Sequence, residues 1–216
     1  EIEISKPFND ALQSREQLEK FSEVSRQALS EISKNHGAKA LSIFPAMPVA
    51  ESNPVTMEGA DLGRYLFYDP FLSLDSTISC ASCHKQENAF SDGGKALSVG
   101  IDSQLTRRNA SPLFNLAWNY SERFAWDGKD FTLESQALEP VTNPIELHAN
   151  WVDVAERLKN DAEYPTLFSQ AFGTTKIDST LITKALAQFE RTLISGNSKF
   201  DKFLLGEVTL TPETVP

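Results

Sequence analysis

Two cysteines three residues apart, with a histidine directly after the second, carry the clearest chemistry in this chain: Cys80-Ala-Ser-Cys83-His84. Both thiols fall within one helical turn, so each can add to a vinyl group of the same porphyrin. The imidazole that follows then sits under the iron as an axial ligand, which is the pattern of a c-type haem attachment site. Cys80 and Cys83 are the only cysteines in 216 residues, so the haem takes both and leaves none for a disulfide. A redox-active cysteine pair and half of a zinc site are the alternatives open to this spacing. Zinc would need two further ligands, and the other histidines, His36 and His148, are distant in sequence.

What the iron can do depends on its sixth position. An electron carrier fills it, usually with Met or His, whereas a peroxidase leaves it open. No methionine follows His84, and His148 is the only histidine beyond it; Met47, Met57 and His36 all precede it. Small electron-transfer cytochromes c supply their methionine from the C-terminal side, which this chain does not do. His148 reads better as a surface or capping histidine, and the iron reads as open. A mono-haem electron carrier stays as the non-enzymatic alternative.

The elements around these residues read as helices joined by long loops. Leu18, Phe21, Val24 or Ser25, Ala28 or Leu29, and Ile32 recur at helical spacing over residues 10–36, with Ser14-x-x-Gln17 as a capping box and Gly37 as a stop. A Pro- and Ser-containing connector runs from Phe44 to Pro54. The spacing predicts a second helix over 56–69, with Leu62, Tyr65 and Leu66 on one face and Pro70 ending it. Residues 86–130 are irregular and rich in Ser, Asp, Gly and Asn, and a loop region that long in a compact domain is usually functional. Further helices are predicted near 132–139, over 151–172 with a break around Pro165, and over 179–195 with Gly196 after it. There is no internal repeat and no convincing strand pattern.

Composition narrows the class. The chain is 40% hydrophobic and 23% charged, which is ordinary for a globular protein. Its formal charge of −10 and lack of a basic stripe argue against a nucleic-acid partner. The longest apolar runs are too short to cross a bilayer. Glu1-Ile-Glu-Ile has neither the basic start nor the apolar run of a leader, so a mature chain whose leader has been removed is the simplest expectation for a haem c protein.

Taken in order, the residues resemble a known family. Leu62-Gly-Arg-Tyr-Leu-Phe-Tyr-Asp69, Leu72-Ser73 and the haem motif come first, then Ala89-Phe90-Ser-Asp92, Ser98-Val-Gly100 and Arg108-Asn109-Ala-Ser-Pro112. Trp126-Asp127-Gly128, Leu133-Glu-Ser-Gln136-Ala137 and Asn143-Pro-Ile-Glu146 complete the series. This ordered set resembles the N-terminal, peroxidatic haem domain of the bacterial di-haem cytochrome c peroxidases and their relatives, some of which oxidise protein side chains. It covers roughly residues 56–210 and leaves residues 1–50 outside.

The resemblance implies roles residue by residue. Glu146 matches the distal acid and Gln136 the distal amide. A carboxyl in an apolar haem pocket would be raised and suited to carry a proton near neutral pH; without the family context, Glu146 would read as an exposed acid at a helix start. Trp126 matches the tryptophan between the two haems, against a plain core-packing role. Asn109 matches a side-chain ligand of a calcium site at the domain boundary. Apart from the resemblance, the forked donors of Arg108 suit a haem propionate, with a surface salt bridge as the alternative. Two departures stand out. The family carries a second attachment motif in an electron-transfer domain, and this chain has one motif and closes on Leu210-Thr-Pro-Glu-Thr-Val-Pro216, which reads as a linker toward such a domain. Several members place an iron-capping histidine just after Ser98-Val-Gly100, where this chain has Ile101.

The expectation is therefore an all-α, cytochrome c-like helical domain with long haem-wrapping loops and an N-terminal helical appendage. Residues 1–50 would be the extension, 51–210 the haem domain and 211–216 the start of the linker. Its expected chemistry is reduction of hydrogen peroxide with electrons from a small redox protein such as a cytochrome c or cupredoxin, using one covalent haem c and a boundary calcium. The setting implied is the periplasm, without nucleic acid or a membrane span, and compatible with a homodimer.

Overall fold

The computed structural model describes residues 44–48, 50–209 and 211. The helix expected over 10–36, with its capping box and Gly37, lies outside them, as do residues 212–216. Pro48–Ile194 form one compact unit, and residues 44–47, 195–209 and 211 belong to a second. The second carries the short helix Lys199–Leu204, opened by a reciprocal Ser198–Asp201 capping box.

The larger unit is helical. Among the described residues there is no strand, only the isolated bridges Lys85–Ser91, Val99–Leu105 and Phe124–Asp130. Helix α1 spans Met57–Tyr68 and is started by Thr56, whose hydroxyl accepts from the Gly59 amide at 3.0 Å. It ends because Asp69 takes extended backbone before Pro70, where the proline ring disfavours helix. The Asp69 carboxylate then caps a tight turn, Pro70–Leu72, by accepting from the Phe71 amide at 2.8 Å. Helix α2 is the single turn Cys80–Cys83, held by Ser79 and Ser82 in a reciprocal box. Helices α3 (Leu133–Gln136) and α4 (Leu138–Thr142) replace the one helix expected near 132–139.

Helices α5 (Trp151–Lys159) and α6 (Tyr164–Phe172) come from the segment expected as one broken helix. The break lies at 160–163, and Pro165 starts α6 in its first turn, where a missing N–H costs no hydrogen bond. Helix α7 (Ser179–Arg191) is capped by Asp178, which accepts from the Leu181 amide at 3.0 Å. It stops short of Gly196 because the chain turns away at Thr192, and the Leu193 carbonyl accepts instead from the Asn115 amide at 2.7 Å.

The core lies between α1 and α7, with Leu62, Leu66, Phe67, Ile182, Leu186 and Phe189 buried together, and Phe168 from α6 beneath them. The two helices touch closely because α1 has glycine at two successive turns. A Cβ at Gly63 would sit 1.9 Å from the Ala185 carbonyl oxygen, and one at Gly59 would sit 2.0 Å from Gln188 Oε1. Gly63→Ala collides with backbone and should destabilise the protein by about 1–3 kcal/mol or more, the usual cost of overpacking; thermal unfolding against the parent measures it. The connector before α1 is more than a spacer. Asn53 is buried, donates to Glu134 Oε1 at 2.6 Å and to the Lys184 carbonyl at 3.0 Å, and accepts from Gln188 Nε2 at 2.8 Å.

Candidate haem site

The attachment turn α2 places Cys80 and Cys83 on one face of a helical turn, both unpaired. Burial pushes the Cys80 thiol up to about 12, and the Cys83 thiol also rises for the same reason. A reactive redox pair needs the opposite, a lowered thiol, so the redox-pair alternative loses its support. Among the described residues no group of three His, Cys, Asp or Glu side chains is placed to hold a metal ion, which removes the zinc alternative there.

His84 follows the turn as its C-cap, half-buried. Its Nδ1 lies 2.8 Å from the Phe90 carbonyl oxygen. A carbonyl can only accept, so Nδ1 carries the proton and Nε2 keeps its lone pair for a metal. That is the tautomer a proximal haem ligand requires, and with it these residues fit the group. Burial also lowers the His84 pKa, keeping the ring neutral. The carbonyl is aimed by an unusual loop. Ala89 and Phe90 both have left-handed backbone, φ 56° and 57°, which costs a non-glycine residue roughly 1–2 kcal/mol each. Phe90 N to Lys85 O at 2.8 Å and Lys85 N to Ser91 O at 3.0 Å hold the loop closed. Phe67 lies 6.3 Å from the His84 ring and 6.1 Å from Phe90, which also meets Phe189 edge-on, so the proximal side is aromatic.

Glu146 sits in the turn after α4. It is not an acid at a helix start: the first turn of α5 is capped by Asn150 and carries Asp153. Asn143 organises the turn from both ends of its amide, accepting from the Ile145 N–H at 3.1 Å and donating to Glu146 Oε1 at 2.8 Å. Burial raises the Glu146 carboxyl above its ordinary range, nearby Glu139 adds to this, and the Asn143 bond opposes it. The negative charge of the same carboxyl adds to the rise of both haem-motif thiols, after burial as the main cause. Ile101 is buried and its amide donates to the Glu146 carbonyl at 2.9 Å. Gly100 makes this approach possible, since a Cβ there would lie 1.9 Å from the Ile145 carbonyl oxygen. Gln136 ends α3, half-buried, and its side chain has no hydrogen bond among the described residues.

Trp126 is not a core residue: it is 56% exposed, and its indole N–H donates to the Asn109 carbonyl at 2.8 Å. Arg108 meets Asp127 at 3.8 Å in an exposed pair, the surface contact weighed against a propionate role. The structure thus ties 108–109 to 126–127 twice, joining three candidate residues that stand apart in the sequence. His148 is exposed, with φ 53°. Sequence reasoning passed over Phe90, Asp92, Ser98 and Asn143 as actors, although all four stand inside the quoted motifs. Nothing in residue type alone marks a backbone carbonyl or a buried Asp–Ser pair.

A profile of the di-haem cytochrome c peroxidase family matches residues 57–209. A second profile, for the SMODS-associated sensor domain fused to various effectors, matches residues 1–52, a minor part of the chain. The chain is similar to methylamine utilization protein MauG of Methylorubrum extorquens, 41% identical over 163 residues that make up 75% of this chain and 45% of that protein. It is also similar to cytochrome c peroxidase Ccp of Escherichia coli, 38% identical over 76% of this chain and 34% of that protein. The chain therefore spans less than half the length of these relatives. Among solved structures, a MauG-like protein associated with microbial copper homeostasis superposes with a TM-score of 0.72 at 36% identity, over 78% of this chain and 50% of that one. The attachment turn, its oriented histidine and the helices that frame them thus have a common source: the chain belongs to the di-haem cytochrome c peroxidase family, with its all-α, cytochrome c-like fold and the haem c that this family carries.

Proposed function

We propose that this chain is the peroxidatic haem domain of a cytochrome c peroxidase-like enzyme that reduces hydrogen peroxide to water. The observation that carries the reading is the half-buried Glu146 carboxyl, held by Asn143 and raised by burial, in the same unit as the attachment turn on which His84 is held for iron. When bound, haem would supply a redox-active iron for the two-electron chemistry. Cys80 and Cys83 anchor the porphyrin, and His84 offers Nε2. Glu146 takes the proton from one oxygen of hydrogen peroxide and returns it to the other as the O–O bond breaks and water leaves. Gln136, free to donate its amide, orients the peroxide. Arg108 is assigned to a propionate. Trp126 is the entry point for electrons from a second haem group, and Asn109 offers one oxygen to a boundary calcium whose other ligands come from elsewhere. The electrons originate in a small redox protein in the periplasm, and no described helix is long and apolar enough to cross a membrane.

One feature supports an open sixth position: Ile101 stands where a capping histidine would be. The ferric haem should therefore bind cyanide without prior reduction of any other centre. Optical titration of the oxidised holoprotein checks this. A fully low-spin spectrum that resists cyanide would overturn the open site and favour the electron-carrier alternative.

A further inference from the structure

One buried cluster beside the attachment turn is not used by this chemistry. Asp92 and Ser98 are each 4% exposed. The Ser98 hydroxyl donates to Asp92 Oδ2. The Ala110 amide donates to both, to Ser98 Oγ at 2.8 Å and to Asp92 Oδ2 at 3.3 Å. Asp92 Oδ1 is buried without a partner among the described residues. A buried carboxyl with one oxygen unsatisfied is costly, and native proteins seldom keep one without a use.

Its place in the chain shows what it holds. Two residues before Asp92 is Phe90, whose carbonyl receives His84 Nδ1 at 2.8 Å through a backbone that is left-handed at both Ala89 and Phe90. Ala110, at the other end of the cluster, lies on a separate loop that follows the Ser98 segment. The loop that carries Phe90 and the loop that carries Ala110 are distant in sequence, and the Asp92–Ser98–Ala110 hydrogen bonds tie them together. A left-handed pair of non-glycine residues relaxes unless its surroundings over-determine it.

We propose that Asp92, through Ser98 and the Ala110 amide, is a positioning residue that clamps the loop of Phe90, the backbone acceptor of the His84 ring, and so sets the direction and basicity of the iron ligand. This rests on His84 being that ligand. Partners one step removed from a metal commonly control its ligand's orientation and are worth about 10–100-fold in activity. The clamp acts through shape and hydrogen bonding. An asparagine can offer its carbonyl to Ser98 and Ala110 and so preserve it, whereas an alanine cannot.

The test uses the holoprotein and its Asp92→Ala, Asp92→Asn and Ser98→Ala variants. The readout is the iron–histidine stretch of the reduced haem by resonance Raman, beside the single-turnover rate with peroxide and the unfolding temperature. The stretch should move to lower frequency and broaden in Asp92→Ala and Ser98→Ala, and their peroxide rates should fall by about 10–100-fold. Asp92→Asn should keep the parent band. A band unmoved in both alanine variants, even with a lower unfolding temperature, would reduce the cluster to ordinary packing and overturn the proposal. So would an Asp92→Asn band displaced as far as that of Asp92→Ala, since charge would then be acting instead of the clamp. Should Asp92→Ala fail to accumulate folded with haem, Ser98→Ala, which loses one hydroxyl only, decides. A parent protein lacking any iron–histidine band would show that the ligand assignment itself fails, and the clamp with it.

Discussion

Glu146→Gln should slow the single reaction of the ferric protein with hydrogen peroxide by about 10²–10⁴-fold, the usual worth of a positioned acid–base group, while leaving the haem spectrum nearly unchanged. Glutamine keeps the shape and can still accept from Asn143, so the turn at 143–147 should stay as it is. What it loses is the capacity to take a proton. The pH dependence gives an independent check. The carboxyl must be ionised to accept the first proton of peroxide, and burial raises its pKa, so the parent rate should fall as pH drops through a midpoint above the ordinary glutamate range. The Gln variant should lack that limb. Stopped-flow mixing with peroxide across pH measures both effects. A rate that barely moves on substitution would place the proton transfer on another group.

Replacing Glu190 should change stability in a way that depends strongly on pH. This α7 residue is 6% exposed, and burial pushes its carboxyl up to about 8, with Glu134 adding to the rise and Arg191 opposing it. Arg191 is committed elsewhere. It grips Glu134 through two bonds of 2.7 and 3.1 Å. Burial pushes Glu134 upward too, yet the bonds from Arg191 and Asn53 prevail and hold it below its ordinary range. Glu190 therefore folds as the neutral acid. Between the unfolded value near 4.5 and the folded value near 8, the native state binds more protons than the unfolded state, so stability falls as pH rises through that window. The loss amounts to a few kcal/mol, since each tenfold change in proton affinity is worth about 1.4 kcal/mol. Glu190→Gln should remove this slope and be more stable than the parent at pH 9, with little gain at pH 5. Thermal unfolding of both holoproteins at the two pH values tests it. A parent stability that is flat over that range would show that Glu190 is not buried as a neutral acid.

The sequence by itself determined the chemistry of attachment and the class of fold. Two thiols and a histidine within five residues need only one helical turn to act together, so local spacing carries the whole signal. The helices were legible for the same reason: a stop such as Pro70 and an apolar recurrence such as Leu62, Tyr65 and Leu66 are written in nearby residues. Tertiary structure decided what depends on distant segments meeting. The His84 tautomer is set by the carbonyl of Phe90, which any residue type possesses, and its direction comes from strained backbone that composition does not encode. The pKa of Glu146 is raised by burial, with the Asn143 bond opposing, and its backbone is met by Gly100 and Ile101, from a loop far earlier in the chain. Trp126 matches the tryptophan between two haems, with core packing as the alternative, and the fold leaves it 56% exposed with its indole on the Asn109 carbonyl. Asn53 looked like connector by composition, yet it is buried because three polar partners from α3 and α7 converge on it. Spacing within a turn is a property of the chain, whereas burial, backbone acceptors and long-range pairs exist only once the chain has packed.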